Sequence, residues 1–131
     1  MKQKGIIPSV VIVLVEPRGP INIGSVARLC HNYKVCQLRL VAPKCNHLDP
    51  EALKMAVRGK RLLEEVSIFP NLVDAIDDCA KVLATCGRLD HGEIPIYEAK
   101  ASLEWLIQTN SQKPLGIIFG REDRGLSNKE L

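Results

Sequence analysis

The chain has 131 residues, 46% of them hydrophobic and 25% charged, with a formal net charge of +3, which is room for one domain around one core. Nine Gly and eight Pro exclude collagen and low-complexity disorder, and no run reaches the roughly 18 apolar residues that a membrane-spanning helix needs. The charge is uneven: residues 1–61 carry a net of +8 and residues 62–131 a net of −5, as expected of a basic face turned to a polyanion, although solvated faces that merely differ account for it as well.

The N-terminus imitates a signal peptide, with Lys2 and Lys4 ahead of an apolar stretch over 6–15. Pro8 and Ser9 interrupt it, Glu16-Pro17 follows, and no small-x-small cleavage site appears. The run over 10–15 therefore reads as a strand buried on both faces of a parallel sheet. Pro20-Ile21-Asn22 then opens a helix with Asn22 as N-cap. Ile23, Val26, Ala27, Cys30 and Tyr33 form its apolar face, and Ser25, Arg28 and Asn32 lie opposite.

A second strand is expected over 37–41. Asp49-Pro50 caps and starts the next helix, Gly59 ends it, and Leu53, Ala56 and Val57 form its buried stripe. A third strand over 66–69 is followed by a helix that Asn71 caps, running to about Cys79 with Leu72, Val73 and Ile76 inward. Residues 81–85 read as a fourth strand, 88–98 as a loop, 99 to about 109 as an amphipathic helix, and 115–119 as a fifth strand. This alternation predicts an α/β domain with a mostly parallel sheet and flanking helices. Ser127 and Glu130 make a capping box that announces one more helix, so a longer parent is expected to continue past Leu131.

The five cysteines, at 30, 36, 45, 79 and 86, are odd in number and contain no C-x-x-C pair, which favours free thiols in a reducing cytoplasm. No zinc spacing joins them to His31 or His47, and no metal is expected.

Ligands of parallel α/β sheets sit beyond the carboxyl ends of strands. Three segments fall there: residues 16–28, 85–88 and 120–126. In the first, Gly19 and Gly24 have the spacing of a phosphate-binding loop, but Ser25 and Val26 stand where that loop needs Lys and then Ser or Thr. No G-x-G-x-x-G occurs. Gly24 inside a helix costs roughly 1 kcal/mol against alanine, and such a glycine admits a ligand or another backbone. Taken alone, the polar helix face and the charge run 121–124 read equally as solvated surface.

Taken together, the segments resemble the SpoU, or TrmH-like, family of RNA 2′-O-ribose methyltransferases in the SPOUT superfamily. Asn22-Ile23-Gly24-Ser25-Val26-Ala27-Arg28 is similar to the family's first motif, and the stretch from Phe119-Gly120-Arg121-Glu122 to Leu131 is similar to its second. The early strand and the Gly-Arg-Glu form of the second motif look most like the TrmJ branch, which methylates the ribose at position 32 of the tRNA anticodon loop. The resemblance implies an α/β-knot fold, a homodimer, and S-adenosylmethionine bound in a knotted pocket. It implies that Thr85, Cys86, Gly87 and Gly120 line that pocket, that Arg28 is the catalytic arginine, and that Asn22 and Glu122 shape the site. The family's third motif, Ser-Leu-Asn, is absent. Residues 1–131 are thus expected to be the N-terminal part of one SPOUT domain, without its knot segment and therefore of doubtful activity.

RNA affinity is expected from the basic half: Arg18, Lys34, Arg39, Lys44, Lys54, Arg58, Lys60 and Arg61 contact phosphates, with Ser25 at the helix mouth. Of five aromatics, Trp105 and Phe119 are expected to be buried, which leaves little stacking on bases. No DNA or membrane partner is expected. Two other readings stay open: the same chemistry on ribosomal RNA or the tRNA wobble position, and a non-catalytic RNA-binding or dimerisation fragment.

Overall fold

The structure, a computed structural model, describes residues 9–35, 37–85, 101, 104–106, 108 and 113–120. Five strands, β1 (Val10–Val15), β2 (Gln37–Val41), β3 (Ser67–Phe69), β4 (Lys81–Ala84) and β5 (Leu115–Phe119), form one sheet in the order β3-β2-β1-β5-β4, and every pairing is parallel. The helices are α1 (Pro20–Asn32), α2 (Pro50–Ala56), α3 (Lys60–Glu64) and α4 (Leu72–Ala75), with a 3-10 turn over Val57–Gly59. The residues at 101 and 104–106 are also helical. The α/β class and parallel sheet expected from the sequence are observed.

β1 is central, and its alternating side chains serve two cores. Leu14, with Leu38 and Leu40 of β2, packs under Ile23, Ala27, Ala52, Ala56 and Leu63 of α1, α2 and α3. Val11, Val13 and Val15 turn to the other face and meet Val41, Ala75 and Ile118, with Leu72 and Ile76 against them. Both faces of the sheet are covered, which is why the strand reads as one unbroken apolar run.

Several boundaries differ from expectation. α1 begins at Pro20 behind Gly19, so Asn22 lies in the first turn and caps nothing; proline's fixed φ starts the helix without a side-chain cap. Tyr33 is 77% exposed because it follows the last helical turn. Asp49 does cap α2, accepting from the Glu51 amide at 2.8 Å. Gly59 does not end the helical run, which turns at Val57 (φ 53) and continues into α3, and this turn leaves Val57 exposed. Instead, Gly59 packs on α1: a Cβ there would overlap the Ala27 carbonyl oxygen and lie 3.1 Å from the Arg28 nitrogen. The Asn71 cap is observed at 2.9 Å from the Asp74 amide, but α4 stops at Ala75 and Val73 is exposed. The expected helix over 127–130 and the loop over 88–98 lie outside the described residues.

Arg39 of β2 is 7% exposed on the α4 face. Its guanidinium donates twice to Asp78 (2.7 and 2.9 Å), twice to the Gln37 side-chain oxygen (3.0 and 2.7 Å) and once to the Ala75 carbonyl (2.8 Å). All five N–H donors are engaged. Arg39 is therefore no phosphate ligand, contrary to expectation: it ties the end of α4 to the sheet. The Arg39 hydrogen bond holds the Asp78 carboxyl below its ordinary range, against a smaller opposing effect of burial. A carboxyl whose folded pKa lies below its unfolded value adds stability above the unfolded value, about 3.9, and loses it as pH falls through the folded one. Asp78→Asn should thus lower the urea midpoint at pH 7 and flatten its fall as pH drops below about 4; an unchanged acid limb would refute this role.

Candidate functional site

At their carboxyl ends β1, β5 and β4 lie side by side, with Leu14 opposite Phe119 and Ala84 opposite Ile118. The chain leaves β1 at Glu16, in a left-handed conformation (φ 49), and its amide donates to Val41. The Pro17 carbonyl then accepts the Lys44 amide at 2.9 Å, which joins the loop after β1 to the loop after β2. On the other side, the Thr85 amide and hydroxyl both donate to the Ile118 carbonyl, at 2.9 and 3.0 Å. Thr85 is thereby fixed against β5, two residues from Gly120.

A cavity of about 550 Å³ opens beside α1 and these strand ends. Asn22, Ser25 and Gly120 stand on it together with an apolar wall of Leu14, Val26, Leu29 and Phe119. The Ser25 hydroxyl donates to the Ile21 carbonyl at 2.9 Å, within the helix. Two expected features change here. Phe119 is 40% exposed on the cavity, and Trp105 is also exposed, with the Lys81 ammonium 4.3 Å from its ring centre. Both rings are available at the surface.

The structure brings Asn22, Ser25 and Gly120 to one cavity and Thr85 to the adjoining strand end. Arg28 does not line the cavity. It lies six residues beyond Asn22, about 9 Å along α1 and about 120° around it, exposed and without a hydrogen-bond or ion-pair partner among the described residues. Cys86, Gly87 and Glu122 lie outside the described residues. Among the other basic candidates, Arg18, Lys34, Lys44, Lys54, Arg58, Lys60 and Arg61 are exposed. The exposed apolar residues around the cavity were not legible as a site, because the same residue types at helical spacing describe an ordinary core.

Cys30 is also on the cavity wall, yet is 4% exposed, and burial pushes its thiol up to about 11. The thiolate is the reactive form. Iodoacetamide at pH 8 should therefore leave Cys30 unmodified in the native chain and alkylate it in urea, as read by mass spectrometry; native alkylation would show that the helix opens.

S-adenosylmethionine would need a nucleoside-sized seat at adjoining strand ends. Thr85 and Gly120 stand at such ends on neighbouring strands, and Gly120 carries no side chain to fill the space beside it. The apolar wall beside α1 does not suit a charged methionine moiety, so a fit to the cofactor would fall to these residues rather than to that wall.

Residues 9–131 match the SpoU rRNA Methylase family. The chain is 35% identical over 123 residues to the tRNA (cytidine-2′-O-)-methyltransferase TrmJ of Sulfolobus acidocaldarius, covering 92% of this chain and 50% of that protein. It is 32% identical over 124 residues to the Methanocaldococcus jannaschii enzyme of the same name, covering 92% and 52%. Among solved structures, TrmJ from Z. mobilis superposes with a TM-score of 0.82 at 32% identity, over 95% of this chain and 54% of that one. The SpoU methyltransferase AviRb from Streptomyces viridochromogenes, 17% identical, shares the fold with a TM-score of 0.63, over 96% and 47%. The chain thus spans about half the length of the relatives it matches. With its parallel sheet and a match over residues 9–131, the chain belongs to the SpoU rRNA methylase family.

Proposed function

We propose that this chain serves S-adenosylmethionine-dependent 2′-O-methylation of tRNA ribose, at position 32 of the anticodon loop, in the cytoplasm. One observation carries the reading: Asn22 and Gly120, far apart in sequence, line one cavity, and Thr85 is hydrogen-bonded to β5 beside it. The relatives named for tRNA methylation support the substrate. No helix among the described residues is long and apolar enough to cross a membrane. Ser-Leu-Asn does not occur within 1–131, so methyl transfer is proposed of a protein that holds this chain together with that motif.

When bound, S-adenosylmethionine supplies the methyl group as a sulfonium. The ribose 2′-hydroxyl would be the acceptor, its proton passing to water. In this reading Thr85, Cys86, Gly87 and Gly120 hold the cofactor, Asn22 and Glu122 shape the approach, and in-line placement supplies much of the acceleration. Arginine is a poor base. The role assigned to Arg28 is electrostatic: its guanidinium grips an RNA phosphate through two parallel hydrogen bonds and stabilises the developing oxyanion. The apolar residues Leu29, Tyr33 and Phe119, exposed along one side of α1, suit a homodimer interface.

Transfer of tritium from labelled S-adenosylmethionine to unmodified tRNA, followed by alkaline hydrolysis, tests the proposal. A 2′-O-methyl group blocks cleavage at its own nucleotide, so protection is expected at position 32. Label in a base, or protection at position 34 or in ribosomal RNA alone, would refute the assignment.

A further inference from the structure

At the end of α1 away from Asn22, a second depression of about 320 Å³ lies between α1 and α3. His31, Lys34, Arg58 and Arg61 surround it above a floor of Val35 and Leu62. Two stretches of chain supply these basic side chains: His31 in the last turn of α1 with Lys34 two residues past its end, and Arg58 of the 3-10 turn with Arg61 of α3. Arg28 stands three residues before His31 on α1, so these two side chains lead from the trough back toward the Asn22 end of the helix.

The packing holds the two stretches together. Gly59 presses against Ala27 and the Arg28 nitrogen, at a contact a side chain would block. Lys34 (φ 61) and Val57 (φ 53) both border this region in left-handed backbone conformations, unfavourable for any side chain and most of all for β-branched valine. The turn at Val57 carries Arg58 toward α1. The last carbonyls of α1 are also occupied, since Tyr33, Lys34 and Val35 donate to Leu29, His31 and Cys30. Glu65 is the acid on the rim, paired with Arg61 at 2.9 Å in an exposed, weak ion pair that a phosphate can displace.

We propose that this trough is an RNA-backbone subsite, holding one or two phosphodiesters of the substrate strand and leading it along α1 past Arg28. The inference rests on the RNA-methyltransferase reading and adds to it a defined phosphate path and His31 as a member. Basic side chains facing each other across a trough follow a backbone without reading its bases, as expected of a protein that positions RNA by phosphate contacts.

Fluorescence anisotropy of labelled tRNA, titrated with the chain between 50 and 200 mM salt, tests it. Arg58→Gln/Arg61→Gln removes two positive charges, and Lys113→Glu changes the net charge by the same amount away from the trough. The double variant should bind at least tenfold more weakly at 100 mM salt. The slope of log K against log salt should shrink by about 1–2, because each neutralised phosphate contributes roughly 0.7–0.9. Lys113→Glu should change affinity less than twofold. Arg58→Lys/Arg61→Lys should retain most of the slope. Equal weakening by the glutamine pair and Lys113→Glu, or no tRNA binding by the unaltered chain, would overturn the subsite. Calorimetric titration of the unaltered chain with S-adenosylmethionine is read separately: saturable binding keeps the methyltransferase reading when the subsite fails, and its absence removes that reading while the tRNA result still decides the subsite.

Discussion

Gly24→Ala should destabilise the chain by about 2 kcal/mol and lower its Tm by about 5–10 °C, although alanine is the better helix former by roughly 1 kcal/mol. A Cβ at this position would overlap the Ala52 carbonyl oxygen and lie 2.8 Å from the Met55 Cβ. The first obstacle is backbone and cannot rotate away, so α1 and α2 must separate. Overpacking of this kind costs about 1–3 kcal/mol, occasionally more. Because α1 carries Asn22 and Ser25 at the cavity and Arg28 on its flank, the displacement should also reach the candidate site. Gly59→Ala strains the same helix from the 3-10 turn, where the Ala27 carbonyl is the obstacle. Once one substitution has moved α1, the second meets less resistance, so the double variant should lose less than the sum of the two. Urea unfolding of the four proteins measures the cycle. A Gly24→Ala chain as stable as the native one would mean that the helix contact is looser than described.

That glycine shows how far the sequence is readable. Its presence in a helix announced a close approach, but nothing local distinguishes a ligand from the backbone of α2, twenty-eight residues away. Where signals are local, they hold: the Asp49 and Asn71 caps depend on side chains within three residues, and the apolar run of β1 reflects a strand covered on both faces. The failures depend on long-range partners. Arg39 looked like one more cation in a basic half because Asp78, thirty-nine residues later, is what saturates its guanidinium. Phe119 looked like core because its outer neighbours are set by the cavity beside α1. The candidate site was open to reading mainly through family resemblance, since Gly120 comes beside Asn22 and Thr85 beside β5 only when β5 inserts between β1 and β4.

Arg28→Ala should reduce kcat/KM for tRNA methylation by about 100–1,000-fold in the protein that contains this chain, the loss typical when a donor to a developing oxyanion is removed. The fold should survive, because the side chain is exposed and has no partner among the described residues. The split between constants separates its two assigned roles. Loss of the phosphate grip alone raises KM and leaves kcat unchanged, whereas loss of oxyanion stabilisation lowers kcat under saturating tRNA. Arg28→Lys keeps the charge and gives up the planar fork, so phosphate attraction should largely persist while the single-turnover rate still falls about tenfold or more. Near-native single-turnover rates for the lysine variant would show that charge suffices and remove the argument for two parallel hydrogen bonds. Because Arg28 lies off the cavity, its proposed role requires the ribose to reach it along the flank of α1. Combining Arg28→Ala with Arg58→Gln/Arg61→Gln should then give a smaller loss in kcat/KM than the product of the separate losses, since both act on one stretch of backbone.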